Sequence, residues 1–115
     1  MLHVSSVPRA AAFYSQLGFK VTNSHHKPVC GDEPVWAWLQ SAHGATLMLA
    51  LADTTVDPTV QAVLFYLYCD DVAAMHAAPA DDGVAVSAIT YPFYHPCGEF
   101  RITDPGGYVC MVTHT

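Results

Sequence analysis

The chain has 115 residues, of which 52% are hydrophobic, so it can bury a core as one compact domain and is not a disordered chain. Ten acidic and four basic side chains give a formal net charge of −6 at pH 7, which argues against nucleic acid as a partner because phosphate binding needs clustered Lys and Arg. No apolar run approaches the roughly 20 residues that a membrane-spanning helix needs, which argues against a membrane partner.

The first half of the chain has the strand and helix signals of a β-α-β-β-β unit. Pro8 suits the first turn of a helix, where a missing N–H costs no hydrogen bond, and Gly18 suits the position just beyond its last residue. A polar loop after the second strand carries His25 and His26. The predicted elements are a strand at 2–5, a helix from Pro8 to Leu17, and strands at 19–23, 35–40 and 45–51.

The second half of the chain repeats the same order of elements. Asp70 or Asp71 can cap a helix that begins at Val72. Pro79 and Gly83 confine this helix to a few turns. The other predicted elements are strands at 63–69, 84–90, 100–103 and 108–113, with an Asp-Pro-Gly-Gly turn at 104–107.

Two copies of one unit, without strong sequence identity between them, are the main feature of the chain's organisation. We expect a single domain over residues 1–115, with module one at about 1–52 and module two at about 62–115. The connector between the modules would allow them to pair within one chain or to swap between two chains, and the sequence leaves both arrangements open.

Alternation along the strands separates two faces of each predicted sheet. One face is aliphatic and is expected to pack under the helices. The opposite face concentrates large aromatic side chains, and no predicted helix covers it. Another sheet, a partner chain or a ligand must therefore bury this face, which makes it the best indication of a site. Its members are Trp36, Trp38 and Met48 in the first module and Tyr66 and Tyr68 in the second.

Four segments are typical of one known group of proteins: a helix with Phe-Tyr and Leu-Gly-Phe at 7–19, Leu-Met-Leu at 47–49, Tyr-Cys-Asp-Asp-Val at 68–72, and a strand ending in Asp-Pro-Gly-Gly-Tyr at 99–108. In this order they resemble the glyoxalase/bleomycin-resistance/extradiol-dioxygenase superfamily, the vicinal oxygen chelate proteins. The resemblance covers nearly the whole chain. It implies an α+β fold in which two βαβββ modules form a cup-shaped mixed sheet, but it says little about function, since this fold serves many chemistries.

Metal-dependent members of that superfamily hold a divalent ion with side chains on the first and last strands of each module. The resemblance puts three of these positions at Met48, Leu64 and Met111, and neither a thioether nor an alkyl group replaces a carboxylate or imidazole. The fourth position falls at or before the first residue of the chain. His3 is on the correct face of its strand, but it lies one residue pair further along the strand than this position. One histidine cannot supply the roughly three protein ligands of a catalytic metal, so we expect no metal and no other cofactor.

An aromatic surface without metal ligands is similar to that of the bleomycin-resistance proteins, which bind a cationic, planar drug at a dimer interface without reacting with it. Stacking and cation–π contacts contribute about 0.5–2 kcal/mol each, and the acidic excess from Ala52 onward would concentrate cations. We predict a homodimer that sequesters a small cationic or aromatic molecule, with antibiotic resistance as the benefit. The predicted contacts are Trp36, Trp38, Tyr66 and Tyr68 as walls, Met48 and Met111 as floor, and Glu99, Arg101 and His3 as polar or charged groups.

Two other functions are compatible with the same residues. The chain could be an enzyme of the superfamily, such as a glyoxalase-like lyase, an isomerase or a dioxygenase, either without a metal or with metal ligands that the resemblance misaligns. It could also be a dimeric scaffold whose aromatic faces only pack together. Bound metal or turnover lost on chelation would favour the enzyme, and the absence of any cavity would favour the scaffold.

The remaining histidines and cysteines form no motif with a defined chemistry. His25, His26 and Cys30, with or without His43 or His95, match no zinc-binding spacing. Cys97 follows His95 with only a proline between them and lacks an orienting third group for a nucleophilic pair. The first residues show no secretory signal and the four cysteines are scattered, so we expect a cytoplasmic protein. The loop residues Tyr91, Phe93, Tyr94 and His95 are candidates for the mouth of the cup.

Overall fold

The computed structural model describes residues 1–27, 33–79 and 84–115, and the fold is α+β with two four-stranded mixed sheets and two helices. The chain divides into two units, Met1–Val56 and Asp57–Thr115, and the division falls within the predicted connector. Each unit has the element order β-α-β-β-β. The predicted fold class and the repeated unit are therefore confirmed.

The first unit is a sheet with the strand order β1-β4-β3-β2, in which β1 runs parallel to β4 and the other pairs are antiparallel. Aliphatic residues of one face lie side by side on neighbouring strands, since Leu49 of β4 pairs with Leu2 of β1 and with Ala37 of β3. These residues and Leu39 are buried, as predicted for the helix-facing side. The elements are β1 (Leu2–Val4), α1 (Val7–Gln16), β2 (Phe19–His26), β3 (Pro34–Ser41) and β4 (Thr46–Leu51).

Helix α1 begins and ends within one residue of the predicted bounds. The Ser6 hydroxyl accepts a hydrogen bond from the Arg9 N–H at 3.3 Å, which satisfies one of the N–H groups that the first turn leaves without a partner. Gly18 follows the helix with a φ of +89°, a conformation that glycine adopts without the penalty of a Cβ. Apolar residues at helical spacing, among them Ala10, Phe13 and Tyr14, are buried and anchor the helix to the sheet.

Strand β2 is longer than predicted. The interpretation of residues 24–34 as a loop is wrong for residues 24–26, which belong to β2, and for Pro34, which begins β3. His25 and His26 pair with Trp36 and Pro34. The polar side chains are compatible with this strand because β2 is an edge strand and its residues beyond Phe19 are exposed. Pairing with β3 satisfies the backbone N–H and C=O groups of β2. This pairing, rather than the polarity of the side chains, determines that the segment is a strand.

The second unit is a sheet with the strand order β5-β8-β7-β6, in which β5 runs parallel to β8. Its core is formed by Phe100, Ile102, Cys110 and Val112, which are buried on one face of β7 and β8. Helix α2 contacts these two strands. The elements are a 3₁₀ turn (Pro58–Val60), β5 (Leu64–Cys69), α2 (Val72–Ala77), β6 (Ala85–Val86), β7 (Glu99–Thr103) and β8 (Val109–His114).

Helix α2 begins where the sequence predicts, and Asp71 rather than Asp70 caps it. The Asp71 carboxylate accepts a hydrogen bond from the Ala74 N–H at 2.9 Å. Gly83, expected to help end this helix, lies outside the described residues, as do Cys30 and the acidic residues Asp32, Asp81 and Asp82.

The predicted strand at 84–90 is wrong in length, since β6 covers only Ala85–Val86 and a single bridge pairs Thr90 with Glu99. Ser87 explains where regular pairing ends. Its hydroxyl, rather than its carbonyl oxygen, accepts the Arg101 N–H at 2.8 Å. The Ser87 carbonyl instead lies 2.8 Å from His76 Nε2 on α2. His76 is accordingly half-buried, with its ring 5.0 Å from that of Phe100.

The turn at 104–107 is built by a buried aspartate. The Asp104 carboxylate accepts hydrogen bonds from the Gly106 and Tyr108 N–H groups at 2.9 and 2.8 Å. Gly107 has a φ of +85° and lies against Pro58, so no larger residue fits there without a shift of the backbone. The turn therefore ties β7 and β8 to the beginning of the second unit. In the described part of the chain, no helix has the length and apolar character needed to cross a membrane.

Candidate functional site

Two tryptophans lie on the face of the first sheet opposite α1. Trp36 pairs with Ala50 and Trp38 pairs with Met48, so these side chains share one face, and His3 joins them through its own pairing with Ala50. The two indole rings lie 6.3 Å apart at an angle of 80°, and Trp38 is 40% exposed. We call His3, Trp36, Trp38 and Met48 the tryptophan surface. Within the first unit it is an aromatic area that the helix leaves uncovered.

A tyrosine pair occupies the corresponding face of the second sheet. Tyr66 and Arg101 both pair with Met111 from opposite sides, and Tyr68 lies two residues further along β5 on the same face. The rings of Tyr66 and Tyr68 are 6.4 Å apart and nearly parallel at 28°, and both are exposed. We call Tyr66, Tyr68, Arg101 and Met111 the tyrosine surface. Each unit thus places on one face of its own sheet several of the residues that the sequence predicts as ligand contacts.

Glu99 lies at the end of the tyrosine surface, paired with Thr113, and is unexpectedly buried. It is only 5% exposed, although a carboxylate normally stays in water unless it is paired. Its Oε1 accepts a long hydrogen bond of 3.4 Å from the Tyr94 hydroxyl. Among the described residues, its buried Oε2 has no hydrogen-bond partner, and His95 Nε2 lies 3.8 Å from it.

The loop at 91–98 brings these groups to Glu99. The loop is closed at its base by two backbone hydrogen bonds between Thr90 and Glu99, of 2.9 and 2.8 Å. Gly98 has a φ of +103°, and a Cβ there would lie 3.1 Å from a side-chain carbon of Ile89, so glycine allows the chain to turn tightly back into β7. The His95 ring then lies 6.1 Å from that of Tyr66 and 5.2 Å from that of Tyr94.

The charge of Glu99 acts on its neighbour. The nearby carboxylate raises the pKa of the Tyr94 phenol, because a negative charge disfavours formation of the phenolate, and burial adds to the effect. Tyr94 therefore remains a neutral hydrogen-bond donor toward Glu99 to higher pH than an ordinary tyrosine. The sequence singles out Tyr94, His95 and Glu99 separately, but only the fold of the loop brings them together.

Three residues that the resemblance places at metal-ligand positions lie on the sheet faces opposite the helices: Met48 on β4, Leu64 on β5 and Met111 on β8. Among the described residues, no three His, Cys, Asp or Glu side chains form a group that could hold a metal ion. Cys30, a candidate metal ligand together with His25 and His26, lies outside the described residues.

A cavity of about 200 Å³ in the second unit was not anticipated from the sequence. It lies between the start of α2, the loop at 91–98 and the end of β8. Its polar lining comes from residues that are far apart in the chain, so no local pattern indicates it. The lining includes Asp70, Asp71, Tyr91, Cys97 and His114.

Comparison with known proteins identifies one family. The model of the Glyoxalase/Bleomycin resistance protein/Dioxygenase superfamily matches residues 1–112. The search of curated proteins gave no match. Among solved structures, the chain is similar to TnmS3, an antibiotic binding protein from Streptomyces sp. CB03234, with 25% identity, a TM-score of 0.69, and coverage of 98% of this chain and 89% of that one.

Two further structures have a similar fold at lower identity. One is a bleomycin resistance determinant encoded on the transposon Tn5, with 18% identity, a TM-score of 0.73, and coverage of 99% of this chain and 92% of that one. The other is a bleomycin-binding protein complexed with bleomycin, with 18% identity, a TM-score of 0.72, and coverage of 99% and 93%. At this identity, the likeness establishes the fold and leaves the ligand to be argued from the site.

Proposed function

Because the chain belongs to the Glyoxalase/Bleomycin resistance protein/Dioxygenase superfamily, we propose that it is a metal-independent binding protein for a small cationic or aromatic molecule. The observation that carries the proposal is the pair of uncovered aromatic areas, the tryptophan surface and the tyrosine surface, one on each sheet. Flat ligands stack on such rings, and cations are attracted to their faces.

Metal independence is supported by the side chains at the superfamily's metal positions. Met48 and Met111 present thioethers, which are flexible apolar groups that adapt to the shape of a ligand and bind hard cations poorly. We assign them to the floor of the binding area, with Trp36, Trp38 and the tyrosine pair as walls. Glu99, Arg101 and His3 supply charged or polar contacts at the edges.

The class of ligand is supported by charge and by the relatives. The chain has a net charge of −6, and such a field raises the local concentration of cations. Structures of similar fold include proteins named for binding bleomycin or another antibiotic. We infer that sequestration of an antibiotic, and resistance to it, is the biological benefit.

We also propose that the protein is a homodimer that acts in the cytoplasm. The exposed aromatic areas favour a second copy as their cover when no ligand is bound, since a monomer rarely leaves large apolar patches in water. Cys69 and Cys97 form no disulfide, which suits a reducing compartment. Light scattering coupled to size-exclusion chromatography tests the dimer, and a mass of a single 12.4 kDa chain at micromolar concentration would contradict it.

Titration with metal-free bleomycin, followed by tryptophan fluorescence, tests the proposed binding. We expect quenching that is unchanged by EDTA and an affinity that falls about five- to thirtyfold in Trp38→Ala, because truncating an aromatic contact removes on the order of 1–2 kcal/mol. Calorimetry gives the affinity of the variant independently of its lost fluorophore. Val60→Ala is the matched control, since Val60 is an exposed apolar residue in the 3₁₀ turn and outside both surfaces.

The enzyme alternative makes the opposite prediction. If a metal is held by residues other than those that the resemblance indicates, purified protein will contain stoichiometric Zn, Ni, Mn or Fe, and chelation will abolish binding or turnover. Elemental analysis of the protein as isolated decides between the two functions. Stoichiometric metal would overturn the metal-independent proposal.

A further inference from the structure

The buried carboxylate of Glu99 has an acceptor atom that none of the described residues satisfies. Its Oε2 makes no hydrogen bond, and His95 Nε2 at 3.8 Å lies beyond hydrogen-bond distance. Within residues 1–27, 33–79 and 84–115, this contact with His95 is the one ion pair that Glu99 forms, and Arg101 on the same strand forms none with it. An unpaired buried carboxylate is costly, so such a group in a folded protein calls for a physical explanation.

Aromatic rings flank this carboxylate. The Tyr94 hydroxyl contacts Oε1, and the rings of Tyr66 and Tyr94 lie 6.1 and 5.2 Å from that of His95. Tyr66 is 44% and Tyr94 57% exposed, so solvent reaches the rings although it does not reach the carboxylate. A carboxylate among partly exposed rings combines the two features that favour an organic cation, an ionic acceptor and faces for cation–π contact.

We propose that Glu99 Oε2 accepts a hydrogen bond from the N–H of a protonated amine or amidine of the ligand when the partly exposed Tyr94 side chain moves aside, with Tyr66, Tyr94 and His95 around the cationic group. This inference rests on the proposed binding function and specifies the chemistry of its ligand. To satisfy this acceptor, the ligand must provide a hydrogen-bond donor as well as a positive charge. A quaternary ammonium supplies the charge alone and leaves Oε2 unsatisfied, whereas an N–H cation satisfies it.

The internal alternative is that His95 serves as the partner of Glu99. A side-chain movement that brings Nε2 within hydrogen-bond distance would satisfy Oε2 without a ligand. In that case Glu99 has a structural role, and its removal would not change the preference among cations. The two possibilities therefore differ in ligand selectivity as well as in stability.

Calorimetric titration with three probes that share one aromatic ring system tests the inference. The probes are naphthylmethylamine, its N-trimethyl quaternary analogue and the neutral naphthylmethanol, which differ in charge and in N–H donors. We expect the amine to bind the wild-type chain about tenfold more tightly than either analogue, as one charge-assisted hydrogen bond predicts. In Glu99→Gln, the amine should lose about this factor while the neutral alcohol binds unchanged.

Asp53→Asn is the matched control for charge. It also removes one carboxylate, but from an exposed position in the first unit, and should retain the preference for the amine. The thermal midpoint of Glu99→Gln should be equal to or above that of the wild type, because the substitution removes a buried charge and keeps the shape of the side chain.

The outcomes separate the inference from the proposed function. If the quaternary probe binds as tightly as the amine, or if Glu99→Gln and Asp53→Asn behave alike, the inference fails and the binding function stands. If none of the three probes binds the wild-type chain at millimolar concentration and bleomycin also fails to bind, the proposed function fails and the inference fails with it.

Discussion

Glu99 and Tyr94 show how one residue's burial changes the chemistry of another. Glu99 is placed on β7 by strand pairing, and the loop at 91–98 lays Tyr94 and His95 against it. As a sequence feature, Glu99 is an acidic residue at the start of a strand, with no sign of burial. Its environment follows from contacts across the loop, so the burial of this predicted ligand contact becomes visible only in the folded chain.

The titration of Tyr94 gives a direct test of this contact. In the wild type, the Glu99 charge raises the Tyr94 pKa, so in Glu99→Gln we expect the pKa to fall toward that of an ordinary tyrosine. The sign follows because removing a negative charge makes the phenolate easier to form. Absorbance of tyrosinate against pH measures the shift, and Tyr94→Phe identifies which step belongs to Tyr94. Identical titration curves for Glu99→Gln and the wild type would contradict the contact.

At the scale of elements, turns and caps follow their local sequence closely. Ser6 and Asp71 cap the two helices, and the Asp104 carboxylate organises the last turn through its bonds to two N–H groups. These features depend on residues within a few positions of each other, which is why sequence patterns predict them. Gly107 adds a contact with Pro58 that no local pattern indicates.

Two glycine substitutions separate backbone strain from steric contact. Gly44 and Gly107 have similar φ values of +88° and +85°, but a Cβ at Gly44 meets nothing within 4 Å, whereas one at Gly107 would lie 2.6 Å from Pro58 Cβ. We expect Gly44→Ala to lower the free energy of unfolding by about 1 kcal/mol, the cost of a left-handed conformation. Gly107→Ala should cost a further ~1–3 kcal/mol from overpacking.

Urea denaturation of both variants measures this difference. Equal losses of stability in the two variants would mean that the loop before β5 moves away from the turn at little cost. A larger loss in Gly107→Ala would show that the contact between Pro58 and the turn is rigid. The comparison requires the same denaturant slope in both variants, so that midpoints report stability alone.

Unlike the turns, the lengths of the strands do not follow from the local sequence. β2 extends through His25 and His26 because β3 offers a row of backbone partners, and β6 stops after two residues because the Ser87 hydroxyl replaces its carbonyl oxygen in the pairing with Arg101. Neither outcome can be read from side-chain alternation. Pairing with a neighbouring strand decides both, and the neighbour is distant in the chain.

At the scale of the whole molecule, the net charge of −6 should act on binding through long-range attraction. We expect the affinity for naphthylmethylamine to fall several-fold between about 0.01 M and about 0.15 M salt, as the Debye length shrinks from about 30 Å to about 8 Å. Naphthylmethanol is the control, because a neutral probe does not experience this attraction. Calorimetry at both salt concentrations measures the two affinities, and equal salt dependence of the two probes would contradict the role of charge.

The sequence by itself determined the α+β class, the two β-α-β-β-β units, the starts of the helices and the separation of aliphatic from aromatic strand faces. These properties follow from local propensity and from strict alternation along a strand, and alternation alone is enough to assign Trp36, Trp38, Tyr66 and Tyr68 to the open faces. Only the tertiary structure decided the ends of β2 and β6, the burial of Glu99 and its contacts with Tyr94 and His95. The physical reason is that strand pairing and desolvation depend on neighbours brought together by folding, and spacing along the chain does not encode them.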